Sequence, residues 1–272
     1  MTPAEHLRAA TPVAIFRHRA LLLHLIVREI QARYRGSVLG VLWSFLTPLL
    51  MLGVFTFVFS TVFQSRWGQA GGDRVNFALM LFPGMVLHSL FADVVARGPT
   101  LIVTNANYVK RIIFPLDVLP VVAVGSALFQ AAVGLAAVAG FQWILRGHVP
   151  ITALWLPLVI APYVLFLLGM AWMLSSLGVY LRDLTQLTGL LATVLMFLSP
   201  VFYPVDALPP KWQPWIHLSP LTLILEQTRA VLLLDETPAV LPLLSYALVA
   251  ALFACSTLYW FQRTRKGFAD VL

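Results

Sequence analysis

Long apolar stretches alternate with short clusters of charge along the whole chain. Six of these stretches predict membrane-crossing helices at about 37–63, 75–96, 118–145, 152–181, 184–205 and 239–262, each holding the roughly 20 apolar residues that one crossing needs. The fourth lies in the longest uncharged run, 147–181. Two crossings would need about 40 residues, so Pro157 and Pro162 are read as kinks in one tilted helix. Two further segments are predicted helical without crossing. Residues 20–35 place Leu23, Ile26, Val27, Ile30 and Tyr34 on one face and His24, Arg28, Gln31 and Arg35 on another, the pattern of an amphipathic helix lying along a membrane surface. Between the last two stretches, Ser219 and Pro220 mark a helix start, and Leu221, Ile224, Leu225 and Leu232 continue one stripe that Glu226 and Arg229 interrupt. That segment predicts a short re-entrant or surface-lying helix. The fold class expected is all-α and polytopic, with residues 1–272 forming one transmembrane domain.

Six crossings place both termini on one side, and the basic residues choose the side. With the termini in the cytoplasm, the inner segments carry Arg8, Arg17, Arg19, Arg28, Arg33, Arg35, Arg97, Lys110, Arg111, Arg182, Arg263, Arg265 and Lys266. The outer segments carry Arg66, Arg74, Arg146, Lys211 and Arg229. Such an excess marks the cytoplasmic side. Trp67, Trp143, Trp155, Trp212, Trp215 and Trp260 fall near the proposed span ends, where amphipathic rings prefer to lie. Residues 1–19 contain Glu5, Arg8, Arg17 and Arg19 without an apolar core, so the first span is expected to direct insertion in place of a cleavable signal.

Composition agrees: 60% of residues are apolar and 11% charged, against roughly a quarter charged in soluble domains. The net charge of +7 is spread in small clusters between spans, a topology signal that excludes a nucleic-acid surface. One cysteine, Cys255, excludes a disulfide framework or a thiolate cluster and is expected to be a packing residue.

The chain offers no engine of its own. A phosphate-binding loop closes on Gly-Lys-Ser/Thr, and the three lysines, Lys110, Lys211 and Lys266, lie outside any such context. The acidic residues sit at span ends or beyond. His88 is the one histidine well inside a span, and is expected to be a hydrogen-bonded interior group, not a proton relay. No His-Glu-x-x-His zinc motif or paired-carboxylate site for sugar transfer is present. No metal, cofactor or catalytic residue is therefore expected on this chain, and the energy source is expected on a separate subunit.

Five segments carry a resemblance. They are Arg33-Tyr34-Arg35-Gly36-Ser37-Val38-Leu39-Gly40-Val41-Leu42-Trp43, Asn105 through Pro115, Leu181-Arg182-Asp183-Leu184, Ser199-Pro200-Val201-Phe202-Tyr203-Pro204, and Thr264 through Asp270. In order and topology they resemble the permease subunits of ABC-2 type polysaccharide exporters, particularly the O-antigen export type. Lys110-Arg111 stands where relatives often carry two lysines, which keeps the charge. The resemblance implies a homodimer in the bacterial inner membrane, two cytoplasmic ATPase subunits that bind ATP and Mg, and a channel for a glycan carried on undecaprenyl pyrophosphate.

Candidate site residues follow. In the loop 97–117, Asn105, exposed Tyr108, Lys110 and Arg111 are candidates for a coupling element that docks into the ATPase, although Lys110 and Arg111 also serve positive-inside topology. Arg182 and Asp183 are either a second ATPase contact or a local ion pair. Arg28, Arg33 and Arg35, with Tyr34, stand where the surface helix meets the first span. Guanidinium forks suit a pyrophosphate, and anionic phospholipid headgroups are the alternative ligand. Trp43, Phe55, Phe59, Trp172, Tyr180 and Tyr203 are candidates for weak, sequence-tolerant contacts with sugar, with lipid or core packing as the alternative fate of each. Gly125, Ser126, Gly134 and Gly140 permit close helix packing. Rival readings are a teichoic-acid or small-lipid or drug exporter permease, a membrane-embedded glycosyltransferase or polymerase, and an ion-driven flippase.

Overall fold

The computed structural model describes residues 19–58, 74–109 and 114–272, and their regular structure is entirely helical. In chain order, α1 (Arg19–Arg33) is followed by a 3-10 turn (Gly40–Leu42), α2 (Trp43–Thr56) and α3 (Arg74–Arg97). Two 3-10 turns (Gly98–Thr100, Val103–Asn105) lead to the short α4 (Ala106–Val109) and then to α5 (Val118–Arg146). A turn at Ile151–Trp155 opens α6 (Leu156–Tyr180), and α7 (Leu184–Leu198) follows directly. The short α8 (Gln213–His217) and α9 (Thr222–Leu233) precede α10 (Val240–Thr264), a turn (Arg265–Gly267) and α11 (Phe268–Val271).

Among the described residues, four helical stretches are long and apolar enough to cross a bilayer: Phe77–Thr100, Val118–Arg146, Ile151–Tyr180 and Val240–Val271. The fifth apolar stretch is shorter than the predicted 184–205. Its helix stops at Leu198 because Pro200 disfavours helical geometry at Ser199, which is extended at φ −102°, ψ 154°. At 1.5 Å per residue its 15 residues span about 22 Å, less than the roughly 30 Å hydrocarbon core. Of the first predicted span only the part up to residue 58 is described; residues 59–73 lie outside the described set. Pro157 does not kink a span: it occupies the first turn of α6, where a missing N–H costs nothing, while Pro162 lies inside the helix.

The centre of the bundle is α3, with Leu81 and Val95 fully buried. Its side chains join those of α5, α6 and α9 in the main core, and the Tyr163 hydroxyl donates to the Leu87 carbonyl at 3.1 Å. Some polar side chains in the bundle bond to nearby backbone. Ser175 donates to the Trp172 carbonyl at 3.2 Å and Thr257 to the Phe253 carbonyl at 3.0 Å. His88 is buried and its Nε2 donates to the Ala192 carbonyl at 2.9 Å, linking α3 to α7.

The outer faces of α7 and α10 are apolar and uncovered; Leu190 is 62% and Leu241 79% exposed. A belt of such residues is incompatible with water and natural in lipid. Cys255 belongs to the exposed side of α10, so it does not pack inside this chain as expected.

Two elements sit differently from the sequence expectation. The inward side of α1 is formed by Leu21, Leu22, Leu25, Ile26, Glu29 and Ile30, while Leu23 and Val27 point outward beside Arg28. Ion pairs of Glu29 and Arg33 with α3, described below, set this rotation. The stripe of α9 is not exposed, since most of the helix is buried within the chain. Its Arg229 does not interrupt the stripe either: 4% exposed, it donates to the carbonyls of Met80, Pro200 and Val201 at 2.7, 2.7 and 2.8 Å. A buried guanidinium with carbonyl acceptors is tolerated where a free one is not, and it ties α9 to α3 and to the turn that ends α7.

Candidate functional site

One end of the bundle gathers α1, the turns between α3 and α5, the α6–α7 junction and the C-terminal segment. There α1 and α3 meet through charges of opposite sign spaced one helical turn apart on each helix. Glu29 pairs with Arg97, and Arg33 pairs with Asp93 at 2.5 Å. Arg97 also reaches Asp93 at 3.5 Å within α3. Ser126 of α5 closes the group, donating to Glu29 at 3.3 Å and accepting from Arg97 at 3.4 Å. The four charged side chains are about a quarter to a third exposed. In water each such pair contributes only about 0–1 kcal/mol, but at the edge of a low-dielectric layer an unpartnered member costs far more.

Between α2, α3 and α5 lies a cavity of about 530 Å³, within the range of small-molecule sites. Its lining combines polar side chains, Arg33, Tyr34, Asp93 and Gln130, with apolar ones, Met85, Leu90 and Ala131 among them. Gln130 donates to the Tyr34 hydroxyl, fixing the ring after α1 ends. The chain then turns on Gly36 and Gly40, whose φ values of 83° and 51° favour residues without a Cβ. That turn delivers Trp43 to the start of α2 and to the cavity wall. Arg33, Tyr34 and Trp43, singled out for two different roles, thus share one cavity.

Arg28 and Arg35 do not join them. Arg35 is exposed beyond the helix end. Arg28 lines a separate cleft of about 320 Å³ with Thr104, Asn105, Asn107 and Tyr108, so it accompanies the coupling candidates and not the other two arginines. Asn105 donates to the Leu101 carbonyl at 2.9 Å, closing the turn before α4. Tyr108 is not the exposed ring expected. It is half-buried and stacks on Phe114 with centroids 4.4 Å apart, because both rings cover a second core. That core is built from Ile102, Leu116, Trp172, Leu258, Phe261 and Phe268 and their neighbours. Lys110 and Arg111 lie outside the described residues. The turn after α3 is rooted on α6: a Cβ placed on Gly178 would stand 2.0 Å from the Pro99 carbonyl oxygen. Arg182 and Asp183 are both exposed, and the ion pairs found among the described residues do not include one between them.

The aromatic candidates divide in the same way. Trp172 is a core residue, 5% exposed, with its indole N–H donating to the Asp117 carbonyl at 3.1 Å; it cannot line a channel. Tyr180 anchors the C-terminal segment, donating to the Thr264 carbonyl at 3.1 Å and leaning on Phe268. Tyr203 donates to the Phe197 carbonyl at 2.8 Å and closes the turn after α7. Phe59 and the side chain of Phe55 lie outside the described residues. Glu29, Asp93, Arg97 and Gln130 were missed. A signal existed for three of them, since Glu29/Arg33 and Asp93/Arg97 are two opposite-sign pairs at i, i+4.

Long apolar helices with a lipid-compatible outer belt define a multi-pass membrane protein. The chain belongs to the ABC-2 type transporter family, whose pattern matches residues 20–233. It is 28% identical to the O-antigen export system permease protein RfbA of Myxococcus xanthus over 94% of this chain and 96% of that protein. A Klebsiella pneumoniae protein of the same name is 25% identical over 74% of this chain and 75% of its own length. The capsule polysaccharide export inner-membrane protein CtrC of Neisseria meningitidis is 25% identical over 78% of each chain.

Proposed function

We propose that the chain is the membrane subunit of an exporter that moves undecaprenyl-pyrophosphate-linked polysaccharide of the O-antigen type from cytoplasm to periplasm. Two copies, each with six spans and cytoplasmic termini, enclose the channel in the bacterial inner membrane. Two cytoplasmic ATPase subunits drive it, and ATP and Mg bind to them. The observation that carries this proposal is the similarity to an O-antigen export permease over 94% of the chain. The end of the bundle that bears Arg28, Arg33, Arg97 and Arg182 supports the orientation, because an excess of basic residues marks the cytoplasmic side.

The parts divide into two tasks. The cleft of Arg28, Asn105 and Tyr108 receives the ATPase together with Lys110 and Arg111, and Arg182 and Asp183 form a second contact. Force then enters α6 through the close approach of Pro99 and Gly178. On the other side of α1, Arg33 with Tyr34 receives the lipid pyrophosphate, and Trp43 stands where the first sugars pass. The test is complementation in a strain that lacks the chain but keeps its ATPase and glycan synthesis. Restored surface glycan in an ATPase-dependent manner is the expected result. Accumulation of lipid-linked glycan inside the cell despite expression of the chain would overturn the proposal.

A further inference from the structure

Of the five segments that carry the family resemblance, Thr264 through Asp270 is not accounted for by docking, by the lipid or by the channel. Its residues are nonetheless engaged with the inner end of α6 and with the loop 97–117. The Thr264 hydroxyl meets that of Ser176 at 2.7 Å, and the Thr264 carbonyl accepts from Tyr180 at 3.1 Å. Phe268 is fully buried, packs edge-on against Phe261 with centroids 5.6 Å apart, and shares one core with Ile102 and Leu116 of the loop. Between these two anchors, Arg265 reaches Asp117 at 3.7 Å.

Asp117 ends the loop, immediately before α5. An aspartate in that place ordinarily caps the helix with its side chain. Here its backbone is already helical, at φ −62° and ψ −16°, and its carboxylate makes no cap bond. It faces Arg265 instead, with 10% of its side chain exposed against 41% for the arginine. The pair is therefore asymmetric: loss of the arginine strands a nearly buried carboxylate, whereas loss of the carboxylate leaves a cation that water still reaches. The Asp117 carbonyl also accepts from Trp172 of α6, and the other arm of the loop rests on α6 where Gly178 leaves room for the Pro99 carbonyl. One stretch of α6, from Trp172 to Tyr180, thus carries both arms of the loop and the segment that follows α10.

Resting on the function proposed above, we infer that Thr264 through Phe268 is a clamp that sets the position of the docking loop. Arg265 is the positioning residue, acting through Asp117, and Phe268 is the wedge that seats the clamp in the shared core. Through it the surface offered to the ATPase is tied to α10 as well as to α6.

The test is hydrogen–deuterium exchange of the purified full-length chain in maltoside micelles, read peptide by peptide, beside the affinity of each variant for the ATPase. Arg265→Gln should speed exchange in residues 98–109 and 114–117 about tenfold or more, the scale of one stranded charge, and weaken ATPase binding in parallel, with exchange in α3 and α9 unchanged. In an Asp117→Asn background the same substitution should change neither, because no carboxylate is left to strand. Phe268→Ala should loosen the same peptides, and Phe268→Leu, which refills the core, should restore most of their protection. An equal effect of Arg265→Gln with and without the Asp117 carboxylate would make Arg265 a direct ATPase contact or a topology charge and overturn the inference. Faster exchange spread over all helices, with a lower unfolding midpoint, would make the segment a general stabiliser and overturn it as well. The two readings fail separately. An ATPase that binds every variant alike, with the loop pattern as expected, would uphold the clamp and sink the docking role of the loop; an unmoved loop in Arg265→Gln, with docking abolished by Tyr108→Ala and Lys110→Glu, would sink the clamp alone.

Discussion

The carbonyl oxygen of Pro99 stands 2.0 Å from the place where residue 178 would carry its Cβ, so glycine at 178 is what lets the turn Gly98–Thr100 rest on α6. Gly178→Ala must push the turn Gly98–Thr100 off the helix. The expected outcome is a loss of about 1–3 kcal/mol of stability, the range for overpacking a filled site, seen as a lower midpoint in thermal unfolding. Gly189→Ala in α7 is the control, because nothing lies within 4 Å of its Cβ position. Its effect should be neutral or slightly favourable by helix propensity, up to about 1 kcal/mol.

Exchange of the two charges between α1 and α3 tests their pairing. Glu29→Arg alone places a cation against Arg97 and should detach α1, read as faster proteolysis within residues 19–33. Combining it with Arg97→Glu restores opposite signs and should recover protection, with a coupling of about 0.5–3 kcal/mol between the two sites in stability measurements. Additive damage would show that the two side chains do not act on each other.

Trp172 and Trp43 should separate folding from transport. Trp172→Ala empties a core position and removes the donor to Asp117, with an expected cost of about 3–5 kcal/mol and a sharp fall in the amount of folded protein. Trp43→Ala, at an exposed position on the cavity wall, should leave the unfolding midpoint within a few degrees while lowering export. Fluorescence-detected size exclusion and surface-glycan blots check the two outcomes.

Tyr108→Ala with Lys110→Glu should abolish copurification of the ATPase while membrane insertion survives. Unchanged copurification would move the docking site away from this loop. Since Tyr108 stacks on Phe114, Tyr108→Phe is the informative companion: it keeps the ring packing and should retain docking if the ring, and not its hydroxyl, shapes the cleft.

Hydropathy runs disclosed the helical class and, among the described residues, the four helices long and apolar enough to cross a bilayer, because a bilayer imposes length and apolarity residue by residue. The early end of α7 was also legible, in Pro200, but the apolar run through Phe202 masked it. What the pattern could not disclose were relations between distant positions. Periodicity places Leu23 and Val27 on the same face as Ile26 and Ile30, yet in lipid an outward leucine costs nothing, so ion pairs with Asp93 and Arg97 fix the rotation instead. Arg229 reads as an interruption of its helix's apolar stripe because a single sequence does not show the three backbone carbonyls it donates to. Trp172 looked like a channel aromatic for the same reason: the face it shows is decided by its neighbours in the second core.

The most direct measurement of the account is transport in sealed vesicles reconstituted from purified components. With the chain and its ATPase together, lipid-linked glycan should cross the bilayer only when ATP is supplied on the ATPase side, and Arg33→Gln should reduce that flux. Movement of glycan by the chain alone without nucleotide, or ATP-driven movement that is indifferent to Arg33, would contradict it.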